Sequence, residues 1–195
     1  MRDLAVLAFV TLDGVMQAPG SPDEDRSGDF DQGGWATPFW EGVMAHVLQT
    51  AMEEPYDILL GRKTYDSFAG HWPDAPPSGA SERLNRARKY VVTHDSAGLL
   101  WNNTQALEGN AVDAVRRLKA QDGLLLQVHG SAQLIQTLLA HDLIDEFRIW
   151  TFPVMVGSGK RLFEGGHPPM VLKSVAVEAL ENGVTAHVCR RMAAA

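Results

Sequence analysis

Residues 4–12 read Leu-Ala-Val-Leu-Ala-Phe-Val-Thr-Leu and are apolar at nearly every position. A strand with one wet face alternates apolar and polar side chains, so a run without alternation reads as a central strand covered on both faces. Shorter buried runs follow at 57–60, 90–93 and 124–129, separated by helical patterns. Strands that alternate with helices imply a mostly parallel sheet with helices on both faces. The end of the chain differs. Residues 143–152 form a strand in which Phe147, Ile149 and Thr151 alternate with Arg148, Trp150 and Phe152. Val175, Val177 and Ala179 then alternate, Asn182-Gly183 is a two-residue turn, and Val184, Ala186 and Val188 alternate back. That is an antiparallel hairpin. The expected fold is therefore α/β in three layers, αβα: a mixed, mostly parallel sheet with a C-terminal antiparallel hairpin, in one domain over residues 1–195. No repeat or linker-like stretch interrupts it.

The helices carry their own punctuation. Thr37 reads as an N-cap with Pro38 at the first helical position, and Trp40, Val43, Met44, Val47, Leu48 and Ala51 form one stripe. His46 lies off that stripe and reads as a surface histidine. A short polar helix spans 81–88. Asn110 caps a helix with Val112, Val115 and Leu118 inward, and Gly123 reads as its C′ residue. Leu134, Ile135, Leu138 and Leu139 face inward from the next helix. The long stretch 15–36 is rich in Gly, Pro and acid. It is either a solvated loop or a lid over a pocket, with Trp35 and Phe39 as its apolar contacts.

The turns after the strands point to chemistry. Gly130-Ser131 joins a strand to a helix N-terminus, where free N–H groups and the positive end of the helix dipole suit a phosphate. An ordinary strand-to-helix turn reads the same way on this stretch alone. The second such junction is Gly61-Arg62-Lys63-Thr64. Two cations on a first helical turn oppose the helix dipole, and an anionic ligand supplies a reason for them. Ligands of such sheets sit at the carboxyl ends of the strands. This places Asp13, residues 61–64, Thr93-His94 and residues 129–131 on one rim. Several candidate anion sites on one rim are best explained by a dinucleotide.

The totals bound the partners. A formal charge of -7 argues against a general nucleic-acid binder. The single cysteine, Cys189, excludes an internal disulfide and a multi-cysteine metal site, and fits a reducing compartment. No apolar run is long enough to span a bilayer and no signal-like segment precedes the first strand. The expectation is a cytoplasmic protein with a small-molecule substrate, no metal, no nucleic acid and no membrane partner.

Five motifs together resemble a known family: Thr-Leu-Asp-Gly at 11–14, Leu-Gly-Arg-Lys-Thr-Tyr at 60–65, Val-His-Gly-Ser-Ala-Gln-Leu at 128–134, Leu-Ile-Asp-Glu-Phe-Arg at 143–148 and Pro-Val-Met-Val-Gly-Ser-Gly-Lys-Arg-Leu-Phe at 153–163. The chain resembles the dihydrofolate reductase superfamily, most closely the reductase domain of the bifunctional riboflavin-biosynthesis deaminase–reductase. The resemblance implies a dihydrofolate reductase-like fold and NADPH as cofactor. It implies that Gly61, Arg62, Lys63 and Thr64 meet phosphates and that Thr93 and His94 handle the adenosine ribose and its 2′-phosphate. It also implies that Gly130, Ser131 and Ala132 hold the diphosphate, with His129 beside them, and that residues 11–14 border the nicotinamide. A homodimer is implied too, and the Trp150-containing strand suits its interface.

The chain departs from the folate-reducing branch in two places. No acidic residue stands near 43–46, Glu41 being about one turn too early, and His129-Gly130 replaces a Gly-Gly pair. The first departure argues against ordinary dihydrofolate reduction. The His/Cys zinc set of a deaminase is also missing from the sequence. What remains is hydride transfer from NADPH to a pterin-like or ribosylaminopyrimidine-like substrate. Asp13 either orients substrate or relays a proton, or is a turn residue before Gly14. Gly14, Trp35, Phe39 and Phe152 are the candidate substrate contacts; the three aromatics read equally as core. The rival reading is a non-catalytic nucleotide- or ligand-binding protein on the same fold.

Overall fold

In the computed structural model, which describes residues 1–192, eight strands form one sheet in the order β4-β3-β2-β5-β1-β6-β8-β7. The unalternating run is β1 (Leu4–Thr11), and it lies between β5 (Leu125–His129) and β6 (Glu146–Phe152), parallel to both. β2 (Tyr56–Gly61), β3 (Lys89–Val92) and β4 (Thr104–Leu107) continue the parallel part beyond β5. β8 (Thr185–Arg191) runs antiparallel to β6, and β7 (Leu172–Ala179) forms the outer edge against β8.

Each face of the sheet has its own core. Val43 and Val47 of α1 (Trp40–Thr50), Tyr65 of α2 (Arg62–Ala69) and Leu84 of α3 (Gly79–Arg86) pack on one face with Leu7, Ile58, Leu60, Trp150 and Phe152. The other face carries α4 (Ala111–Ala120) and α5 (Ala132–Ala140), packed on Val6, Leu59, Leu126, Val128 and Phe147. Successive side chains of a strand point to opposite faces, which is why β1 must be apolar on both. The three layers and the hairpin are as the patterning predicts.

Several local expectations are corrected. Thr37 does not cap α1: residues Thr37–Phe39 form a 3-10 turn, and no side chain caps either that turn or α1. Asn110 does cap α4, accepting from the Asp113 N–H at 3.1 Å. Gly123 is not the left-handed C′ residue of α4, which is capped at Gln121. Its missing Cβ serves packing instead, since a Cβ there would stand 2.9 Å from the Arg2 guanidinium. β4 is a strand that the patterning does not predict. The last parallel strand starts at Glu146 rather than 143. Trp150 faces α1 and is 2% exposed, and its strand lies inside the sheet, so it is not an interface residue.

Candidate active site

The carboxyl ends of β1, β2, β3 and β5 form the rim on which the candidate residues fall. α2 begins directly after β2, and two residues, Gly130 and Ser131, separate β5 from α5. The first N–H groups of any helix lack intrahelical acceptors and normally find a cap. α3 has a capping box at Ser78 with Glu82 in its first turn, and α4 has Asn110 with Asp113. By contrast, α2 and α5 have no side-chain cap and no acid in the first turn.

The bare ends meet. The Gly61 N–H donates to the Ser131 hydroxyl oxygen at 2.9 Å. Ser131 is left-handed (φ 67°), unlike the extended backbone usual for an N-cap, so its hydroxyl crosses to β2 instead of folding onto its own helix. Gly130 is left-handed too (φ 63°), and a Cβ there would stand 3.6 Å from the Thr64 methyl. Two helix dipoles thus present their positive ends at one place. Neither end carries a carboxylate in its first turn to set against that positive potential.

The predicted cations behave differently from each other. Arg62 Nε pairs with Asp66 (2.8 Å), and its Nη1 donates to the Asp95 carbonyl (2.8 Å). It ties α2 to the loop after β3 rather than standing free. Lys63 is exposed. The Thr93 hydroxyl donates to the Asp95 carbonyl and accepts the Asp95 N–H, a local turn that leaves His94 exposed at the rim. Ala132 opens α5 and contributes only backbone.

His129 is the clearest correction. Its ring is turned into the core, stacked on Tyr56 with centroids 5.6 Å apart, and its Nε2 lies 2.9 Å from Gln127 Oε1. The Gln127 amide nitrogen already donates to the Ala51 carbonyl, so the imidazole must be the donor, through Nε2–H. Burial, and secondarily the Arg148 charge, lower its pKa to about 4. The ring is neutral at physiological pH and cannot meet a phosphate. The unfolded chain, with a histidine near pH 6.5, binds the extra proton first, so stability falls as pH drops from about 6.5 towards 4, by up to about 3 kcal/mol from this group. His129→Gln keeps the donor and does not titrate. Urea denaturation across that range is expected to show the wild-type loss and a flatter profile in the variant.

Asp13 accepts hydrogen bonds from the Thr11 hydroxyl (2.6 Å) and the Gly157 N–H (2.8 Å), and Arg161 stands 3.9 Å away. The Thr11 bond foremost, then the backbone N–H groups of the 156–157 turn, hold its pKa below the usual carboxylate range against a smaller opposing effect of burial. It is an ionised clamp between β1 and that turn, poorly suited to donate a proton at neutral pH. Gly14 beside it is left-handed (φ 83°) and close to Arg161.

The aromatic candidates separate by burial. Phe152 is fully buried, and Trp35 is 8% exposed with its indole N–H donated to the Gln17 carbonyl. Neither ring has a face free to stack on substrate. Trp35 and Phe39 meet the Phe152 ring edge-on at 5.2 and 5.6 Å, and Phe9 meets it at 5.7 Å. Phe9, Phe39 and Trp40 are half-buried, and Phe9 also meets the Trp40 ring edge-on at 5.7 Å. Phe9 and Trp40 are not among the aromatic candidates of the sequence, which places Phe9 in the central strand and Trp40 in the buried stripe of the helix. The signal for them is strand parity, since Phe9 shares a face with Leu7 and Thr11. His46 is bonded on both sides. Nδ1 accepts from the Trp150 indole (3.1 Å), so the neutral ring donates through Nε2 to Glu178 (3.0 Å). The 15–36 loop is anchored, with Val15, Phe30, Trp35 and Ala36 in the core and Lys160 paired to Asp25.

The RibD C-terminal domain model matches residues 2–186. The chain belongs to that family. Among its relatives are two uncharacterized Bacillus subtilis proteins. YyaP is 31% identical over 130 residues, 65% of this chain and 69% of its own. YwjB is 29% identical over 162 residues, 83% of each. The fold is shared with a putative riboflavin biosynthesis protein from Shewanella sp. (TM-score 0.66, 22% identity, 99% and 100% of the two chains). It is shared also with an Enterococcus faecalis dihydrofolate reductase complexed with NADP(H) (TM-score 0.61, 13% identity, 98% and 97%). This RibD C-terminal family chain therefore has a dihydrofolate reductase-like, reductase-type fold.

Proposed function

We propose that the chain is an NADPH-dependent reductase acting on a small, flat, conjugated substrate of pterin-like or ribosylaminopyrimidine-like chemistry. The observation that carries this is the pair of uncapped, acid-free helix N-termini of α2 and α5, joined by the Gly61–Ser131 hydrogen bond. A diphosphate fits them, because it supplies the negative charge and acceptors that caps supply elsewhere in the chain. Gly61, Thr64, Gly130, Ser131 and Ala132 would hold it, largely through backbone. Lys63 supplies a free cation, and Arg62 acts by fixing the 94–98 loop, where Thr93 and His94 border the ribose end. A neighbour of the same fold solved with NADP(H), and one described as a pyrimidine reductase-like protein from Corynebacterium diphtheriae, support the reading.

The cofactor, when bound, supplies the hydride. The chain's own part is to bind, orient and exclude water. Phe9, Phe39 and Trp40 offer ring surface around Phe152 and the carboxyl half of β1, and Asp13 holds the 156–157 turn by its backbone N–H groups. Since Asp13 stays ionised, the proton that accompanies reduction comes from solvent or substrate rather than from this carboxyl.

The test is melting temperature with NADPH and NADH, followed by NADPH oxidation against pterins, flavin precursors and quinones. At a hundredfold excess over Kd, NADPH is expected to add about 2.7 kcal/mol, roughly 5–10 °C. No rise at saturation overturns the proposal. Binding without turnover on any acceptor leaves a nucleotide-binding protein on this fold, the reading that the lack of an acid near residues 43–46 of α1 favours.

We also propose that the chain is a homodimer through its outer edge. β7 is an edge strand whose Val175 and Val177 are more than half exposed, with Val171 exposed just before it. An apolar edge left open invites strand pairing, and a second copy offers the same edge. Sedimentation is expected to give a dimer for wild type and a monomer for Val175→Lys with Val177→Lys. A monomeric wild type refutes it.

A further inference from the structure

At the opposite end of the sheet from the rim, the amino ends of β2, β3 and β4 border a cleft of about 770 Å³. That is within the range of small-molecule sites. Its walls include Tyr56, Arg83, Arg86, Arg88, Tyr90 and Thr104. Three features set it apart from an ordinary surface groove.

First, it gathers arginines that have no carboxylate partner. The chain is acidic overall, at -7. Yet among the described residues none of Arg83, Arg86 and Arg88 has a carboxylate within 4.0 Å. Arg83 is held in place by carbonyls, donating to Met52 at 2.7 Å and Gly79 at 3.1 Å. Arg88 reaches only the Tyr90 hydroxyl, at 3.4 Å. The acids of the same cleft form no ion pair with them: Asp57 pairs with Arg2, although its charge reaches Arg88, and Glu54 and Asp122 are exposed.

Second, the two buried side-chain polar atoms without a hydrogen-bond partner among the described residues, the Tyr56 hydroxyl and the Thr104 hydroxyl, both belong to this cleft. Buried polar groups are almost always paired, so two orphans lining one cavity call for an explanation. Tyr56 is 4% exposed. Burial holds its phenol protonated, above the ordinary tyrosine range, although the nearby Arg83 and Arg86 charges pull the other way. It is a hydrogen-bond donor without an acceptor. Third, the donor is rigid, because the Tyr56 ring is stacked on His129 and cannot swing out to solvent without breaking that stack.

Guanidinium forks and orphan hydroxyl donors around a cavity of this size suit an oxyanion on a small organic molecule. We infer that this cleft is a second ligand site, separate from the rim, for a small metabolite carrying a phosphate or carboxylate group, held by Arg83, Arg86 and Arg88 with the Tyr56 and Thr104 hydroxyls.

The full chain is titrated by calorimetry and thermal shift with AMP and pyrophosphate as the phosphate arm and citrate and succinate as the carboxylate arm, at matched ionic strength with sodium chloride as control. At least one arm is expected to bind saturably with a Kd below about 1 mM. Which arm binds identifies the oxyanion. Arg86→Gln with Arg88→Gln is expected to weaken that binding about tenfold or more, since both side chains are exposed and their loss leaves the fold intact. Tyr56→Phe removes only the orphan hydroxyl; it is expected to weaken binding several-fold while leaving the unliganded melting temperature unchanged or higher. Absence of saturable binding in both arms overturns the inference. So does binding that persists unchanged in both variants, which assigns the anion to the rim or to nonspecific attraction.

Discussion

Ser131→Asp is expected to lower the affinity for NADPH by about 30- to 100-fold, roughly 2–3 kcal/mol, without lowering the stability of the free protein. The two effects separate because the same charge meets two different partners. In the free protein a carboxylate at the start of α5 sits at the positive end of the helix dipole, where anions stabilise by a few tenths to about 1 kcal/mol. Aspartate also tolerates the left-handed backbone that Ser131 adopts (φ 67°), and it keeps an acceptor for the Gly61 N–H. With a diphosphate present, the same carboxylate stands against another anion. Isothermal titration gives the affinity and a thermal melt gives the stability. A variant that binds NADPH as tightly as wild type removes the phosphate from this junction. A variant that loses both affinity and stability shows that the junction was merely broken.

Arg2→Met is expected to destabilise the protein by about 3–5 kcal/mol, on the order of 10 °C in melting temperature. The Arg2 side chain is 2% exposed and pairs with Asp57, itself 12% exposed, while its Nε donates to the Leu124 carbonyl at 2.7 Å. Removing the guanidinium leaves a carboxylate desolvated and unpaired beneath the amino end of β2, and that residual charge, more than the lost pair, is the cost. The double variant Arg2→Met, Asp57→Leu removes both charges and is expected to recover most of the loss. Chemical denaturation of wild type, single and double variants measures both effects. Equal stability of the single and double variants would assign the loss to packing against Gly123, whose missing Cβ makes room for Arg2.

Much of the fold was readable because burial on both faces leaves a strong mark. β1, β2 and β5 carry apolar side chains at consecutive positions, and Gly or Ser follows where a helix must start. Asn182-Gly183 announced the hairpin. β4 left no such mark: Thr-Gln-Ala-Leu is short, sits at the sheet edge, and owes its form to pairing with β3. The rim was legible as a set of turns, but side-chain direction was not. Trp35 and Phe152 are aromatic and near the site in sequence terms, yet the 15–36 loop and β6 pack them inward. Gln127 and His129 were the available warning. Two polar residues at i and i+2 of a buried strand share a face, so each is the other's nearest partner, and the histidine is spoken for before any ligand arrives. The bare ends of α2 and α5 gain meaning only beside the capped ends of α3 and α4, a contrast that Ser131 hides in the sequence because it looks like a cap.

The place of β1 in the sheet bears on how the chain is made. The strand of this sheet that is made first ends up between β5 and β6, and the strand that follows it, β2, is not its neighbour. From Thr11 until Leu125 emerges, an apolar segment with two open edges has neither of its sheet neighbours to pair with. At synthesis rates of about 5–20 residues per second, that interval is roughly 5–25 s. A nascent chain of this topology thus depends on whatever shields β1 during elongation, and truncation before β5 is expected to yield aggregates rather than a smaller folded unit.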